Sequence, residues 1–188
     1  MHRTIRTLVA DHRNFEVLLS VLDEQLERAS SGNRLDLVVV EAIVSYLRRY
    51  GDLCHHPREN ILYRLVAAKG VPGSERTRAI QREHRDLHLS TDAVLGEVRA
   101  ALMRESSRPN RVLGPLRELM GSYRDHIRAE DSELIPLIQT HLDEADWRLA
   151  EAAVGELDLE DLEDHVHERF IALRDYIHVM HRLGARRV

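Results

Sequence analysis

At 188 residues, with 43% hydrophobic and 31% charged residues but few glycines and prolines, the chain is long enough for one well-built domain burying about 70% of the surface its unfolded form exposes, and disorder is excluded. A formal charge of −5 with scattered Lys and Arg argues against a general nucleic-acid binder, and no apolar run approaches the roughly 20 residues of a membrane span. The single cysteine, Cys54, excludes an internal disulfide, a CxxC pair and a thiolate zinc cage, so any metal must be held by nitrogen and oxygen.

Turn-prone stretches at 30–33 ("SSGN"), 69–74 ("KGVPGS") and 106–110 ("SSRPN") divide an otherwise continuous helical periodicity. They delimit helices over about 2–30, 34–69, 75–105 and 111–141. Short connections between long amphipathic helices predict antiparallel neighbours, hence an all-α, up-down-up-down four-helix bundle over residues 1–141. Two additional C-terminal helices, near 143–154 and 158–183, form an extension at 142–188 expected to pack on the same domain, cover a face or make an oligomer contact. Period-2 alternation is missing, so strands find no support. "MHRTIRTLVADHRN" lacks a signal peptide's apolar region, and the expected compartment is the cytoplasm.

Twelve histidines stand out, and the first four helices carry them in a repeat. Asp11-His12-Arg13 matches Glu83-His84-Arg85 at an offset of about 72 residues, and His55/Glu59 matches His126/Glu130 at about 71, as expected if each half supplies one hairpin with the same chemistry. Residues four apart share a helix face, which pairs His12 with Glu16, His55 with Glu59, His84 with His88 and His126 with Glu130. On the second helix His55 and Glu59 fall on a stripe with Val44, Gly51, Leu62 and Val66. His56 falls with Ser45, Arg49, Asp52 and Asn60, but Pro57 interrupts the helix between His55 and Glu59, and the choice between the two histidines stays open. Burying imidazoles and carboxylates without partners costs several kcal/mol each. A cation removes that cost, and imidazole with carboxylate suits iron, manganese or zinc. His2, His141, His165, His167, His178 and His181 lack an acidic residue four positions on and read as surface residues.

The "DH", "HHPREN", "EHRDLH" and "HIRAEDSELIP" motifs together resemble the hemerythrin-like family of HHE cation-binding domains, over residues 8–141. The continuation "THLDEADW" is similar to a bacterial branch with a longer helical C-terminus. The resemblance implies two carboxylate-bridged non-haem iron ions held by His12, His55, His84, His88 and His126, with Glu59 as one bridge and Glu130 or Asp131 as the other; Glu16 and His56 are further candidates. Helical geometry favours Glu130, since Asp131 lies about 100° further round. Zinc or manganese could replace iron in purified protein. The implied partner is a small diatomic ligand or peroxide: dioxygen, peroxide or nitric oxide carried, sensed or consumed, with no nucleic acid and no membrane. An iron or redox sensor signalling through the C-terminal helices, to a regulatory partner or a second copy, is the alternative. Iron-repair members carry a cysteine-bearing segment ahead of the first helix, which this sequence lacks, and that disfavours a dedicated repair role.

Overall fold

The protein, seen in a computed structural model, is described at residues 1–103 and 110–157, together with 168, 171–173 and 175. Helix α1 (Arg3–Ser30) is followed by α2 (Leu37–Tyr50), which runs through a π-helical turn (Gly51–His55) into α3 (His56–Lys69). After α4 (Arg76–Met103), α5 (Asn110–Ala129) runs through a second π turn (Glu130–Leu134) into α6 (Ile135–His141), and α7 (Glu144–Gly155) follows. Four rods result: α1, α2 with α3, α4, and α5 with α6. Consecutive rods pack side by side, and α5 returns to α1 to close the ring. The fold is all-α, with no strand among the described residues.

Local chemistry sets the ends. Asp36 accepts hydrogen bonds from the Val38 and Val39 amides, both at 3.1 Å, and starts α2. Gly70, at φ 62°, takes the left-handed conformation that ends α3 without a Cβ penalty. Asp143 and Asp146 close a reciprocal capping box on α7.

Each π turn sits just ahead of a proline, Pro57 or Pro136. A proline inside a straight α-helix loses one backbone bond and drives its ring into the carbonyl four residues back. Here the turn is widened: the His56 amide donates to the Gly51 carbonyl and the Ile135 amide to the Glu130 carbonyl. Each rod therefore continues where a straight-helix reading of Pro57 expects a break. Such one-turn π bulges also rotate the residues that follow relative to a straight helix.

The interior divides in two. One apolar cluster gathers Phe15, Leu19, Leu22, Ile43, Leu47, Leu95 and Leu116, and the other Ile5, Leu8, Leu62, Val66, Ile80, Leu134 and Ile138. On every rod the sequence passes from one cluster to the other through a polar stretch: His12 lies between Leu8 and Phe15, and His84 between Ile80 and Leu87. Helix α7 packs on α3, burying Ala150 against the second cluster and resting Trp147 and Val154 on it. Lys69 at the end of α3 bonds Asp143 (3.0 Å) and Asp146 (2.6 Å). The helix expected at 158–183 lies mostly outside the described residues. Of it, Leu173 is helical and packs against the first cluster.

Leu22 is completely buried, whereas Leu89 is exposed. Leu22→Ala is expected to lower unfolding stability by about 2–5 kcal/mol and Leu89→Ala to change it by less than about 0.5 kcal/mol, as read from urea denaturation.

Candidate metal centre

Seven side chains converge between the two apolar clusters: His12 from α1, His55 from the first π turn, His56 and Glu59 from α3, His84 from α4, His126 from α5 and Glu130 at the start of the second π turn. All are buried. Their donor atoms form two groups, His12, His55, Glu59 and Glu130 in one and His56, Glu59, His84 and His126 in the other. Within each group the ligating atoms lie within 4.8 Å of one another.

The two glutamates join the groups. Glu59 presents Oε1 to His55 Nε2 (3.2 Å) and His12 Nε2 (3.6 Å), and Oε2 to His84 Nε2 (3.3 Å). Glu130 presents Oε2 to His12 Nε2 (3.3 Å), and Oε1 to His126 Nε2 (3.3 Å) and His84 Nε2 (3.4 Å). Ligands bound at about 2.1 Å in an octahedral or tetrahedral shell stand about 3.0–3.4 Å apart, and nearly all of these separations lie in or beside that range. Glu59 Oε2, Glu130 Oε2 and His126 Nε2 are buried without a hydrogen bond. Lone pairs left so in a core destabilise it unless a cation completes them. The residues fit a pair of metal ions.

The outward ring nitrogens are held as well. His55 Nδ1 donates to Asp11 Oδ2 (3.1 Å), His12 Nδ1 to Asp131 Oδ1 (2.8 Å), and His126 Nδ1 to Glu83 Oε2 (3.2 Å). Carboxylates in this position fix the tautomer and aim Nε2 at the centre. Tyr63 donates to Glu130 Oε1 at 2.7 Å. The His56 ring stacks on His84 with centroids 4.0 Å apart, and the edge of Phe15 meets His55 at 5.0 Å on the apolar side.

Charge in the metal-free cluster follows from these contacts. Burial by itself would lower the His12 pKa, but its hydrogen bond to Asp131 and the Glu130 and Glu59 carboxylates beside it outweigh that and raise it to about 12. Against the same burial, Glu59 and Asp11 raise His55 to about 9, and Glu130 and Glu59 raise His84 to about 9. His56, desolvated and facing His84, falls well below the ordinary histidine value. Despite burial, and for Glu130 despite Glu59 beside it, the facing imidazoles hold both carboxyls low, Glu130 at about 2. The carboxylates thus favour positive charge at this point of the core, which a cation would supply.

Three residues read from the sequence as candidate ligands lie outside the cluster. His88, with 39% of its side chain exposed, sits on the shoulder of α4 toward α2: Nδ1 donates to Asp52 (2.7 Å) and Nε2 accepts from Arg48 (3.0 Å). One turn beyond His84 the bundle interior is already filled by Leu87 and Thr91, which leaves His88 to this surface network. Glu16 turns away to Arg124 at 3.4 Å and is 45% exposed. Asp131 is also 45% exposed and serves His12 from behind, while Glu130 points inward. His55 and His56 do not compete. The π turn ahead of Pro57 brings both inside, which straight-helix phase does not allow for.

Sequence reasoning passed over Asp11, Glu83 and Gly51. The first two precede His12 and His84 in the repeat, and each supports the histidine of the next rod rather than its own neighbour. The matched acidic residue before each histidine was the available signal. Gly51 has ordinary helical angles (φ −52°), but a Cβ there would lie 3.1 Å from His56 Cε1; only spatial proximity reveals it.

A family model for the hemerythrin HHE cation-binding domain matches residues 3–138. The chain belongs to this family. The hemerythrin match runs from the first residue of α1 into α6 and contains all seven converging side chains, while α7 follows it. No curated protein and no solved structure matches the chain significantly.

Because the facing carboxylates raise the proton affinity of His12, His55 and His84, metal uptake by the hemerythrin domain is expected to release protons and to tighten as pH rises toward about 9. Calorimetry in buffers of differing ionisation enthalpy checks both. Gly51→Ala is expected to push the His56 ring by a few tenths of an ångström and weaken metal binding while the helical circular dichroism is kept; a metal titration of the variant reads this.

Proposed function

We propose that the chain is a cytoplasmic non-haem di-iron protein whose centre binds or reacts with dioxygen, peroxide or nitric oxide. One observation carries this reading: each oxygen of Glu59 and of Glu130 faces a different cluster of imidazoles, the arrangement expected of two carboxylates shared by two cations. His12 and His55 would hold one ion and His56, His84 and His126 the other. The first would be held by one imidazole fewer and would leave more room for an external ligand. Imidazole and carboxylate without thiolate suit iron, with zinc or manganese as substitutes in purified protein. Bound iron would supply electrons and an open coordination position.

The chain's own residues supply the rest. Asp11, Asp131 and Glu83 keep three imidazoles in the ligating tautomer. The Tyr63 phenol, held neutral far above the tyrosine norm by burial and the two glutamates, stays a donor to Glu130. Phe15 and the first apolar cluster exclude water beside His55.

A second reading, a sensor acting through the C-terminal helices on a regulatory partner, is supported by α3 itself. Its first turn carries His56 and Glu59, and its last residue, Lys69, is bonded to α7. Iron-dependent protease sensitivity after residue 142 would favour this reading, and turnover of peroxide in excess of metal would favour chemistry at the centre.

Protein purified without oxygen is expected to contain two irons per chain and to develop an oxidised di-iron absorption on exposure to air. His126→Ala and Glu59→Ala should remove most of the iron, and His88→Ala should retain it. Equal iron in all three variants by elemental analysis contradicts the assignment.

A further inference from the structure

The two carboxylates behind the matched histidines differ in what they bond next. Glu83, behind His126, takes the Arg76 guanidinium at 2.8 Å. Its carboxyl is held below the usual range by Arg76 and His126 against the effect of burial, and it serves as a fixed anion. Asp11, behind His55, instead accepts the phenolic proton of Tyr50 at 2.7 Å. At 71 residues on from Tyr50 and Tyr46 the repeat carries Gly121 and Arg117, so the tyrosines belong to one half alone.

Tyr50 is buried and Tyr46 half-buried, with rings parallel to within 7° and centroids 5.5 Å apart. Tyr50 meets Phe15 edge-on at 5.9 Å, and Phe15 meets His55 at 5.0 Å. A line of rings therefore runs from His55 in the cluster toward the surface, and its inner phenol, Tyr50, has a carboxylate placed to receive its proton. Phenols lose electrons readily only when the proton leaves too, and the hydrogen bond to Asp11 provides for that. Tyr63 is also buried beside the centre, but its ring neighbour is His84, which faces inward.

We propose that Tyr50, with Tyr46 stacked outside it, is a one-electron relay through which the centre oxidises small phenolic donors at the expense of hydrogen peroxide. The proposal rests on the di-iron reading above. In the step, Tyr50 gives one electron to the peroxide-oxidised centre and its proton to Asp11 Oδ1, leaving a neutral phenoxyl. A phenolic donor at the Tyr46 ring returns one electron, the proton comes back from Asp11, and the donor departs as its own phenoxyl after losing a proton to water. Two passages oxidise two donors, and the two electrons, with two protons taken up from water to match those the donors released, reduce one peroxide to two waters.

The test uses the full iron-loaded chain mixed with hydrogen peroxide and frozen rapidly for electron paramagnetic resonance, with spin-trap adducts mapped by peptide mass spectrometry. The expected result is a phenoxyl signal trapped at Tyr50. Tyr50→Phe, which keeps the ring and the Asp11–His55 bond, should lose the signal at unchanged iron content, and Tyr63→Phe should retain it. Tyr46→Phe should retain the signal and slow its decay when a phenol is added. An iron-replete protein giving no radical, or one that survives in Tyr50→Phe, overturns the relay and leaves the di-iron reading standing. A chain that takes up no iron overturns both.

Discussion

Five imidazoles and two carboxylates occupy one layer across the bundle, with apolar side chains above and below it, and every other feature of the molecule answers to the cost of that layer. Water cannot reach these groups, so their charges must be balanced within the layer. The carboxylates raise the proton affinity of the imidazoles that face them; cations would provide the balance better, since each glutamate already splits its oxygens between two groups of nitrogens. The same layer divides the core, so each apolar cluster has to close around its own half.

Holding such a layer requires aim as well as charge. Each of three histidines is oriented by a carboxylate from another rod: Asp11 crosses from α1 to His55, Glu83 from α4 to His126, and Asp131 from the second π turn to His12. These cross-rod bonds tie the bundle together where it has least apolar contact. They also explain why duplication is visible in the acidic residues and not only in the histidines. The halves then diverge in their next contacts: a guanidinium backs Glu83, while a phenol backs Asp11.

The two π turns show how a helix turns more polar side chains inward than a regular helix allows. At Gly51–His55 the widened turn admits both His55 and His56, and Gly51 leaves room for the second ring. At Glu130–Leu134 the turn begins on Glu130 itself, so the glutamate faces in while Asp131 reaches His12 from outside. The proline after each turn accommodates the altered hydrogen bonding at little cost, since its missing amide is not needed there.

Much of this was legible in the amino-acid order. Helical period and turn residues determine four long rods, and the doubled His/Glu spacing on apolar stripes determines that polar chemistry meets inside, because residues four apart share a face whatever the packing. Helical phase also favours Glu130 over Asp131 without closing the choice between them. What it does not contain is the fate of residues whose direction depends on a neighbour. His88 shares a face with His84 yet is captured by Asp52 and Arg48 from another rod, Glu16 is drawn to Arg124, and His56 turns inward only because the backbone changes pitch one turn earlier. Local spacing decides which face a side chain occupies; contacts between residues distant in the chain, and departures from regular pitch, decide which of those side chains reaches the centre.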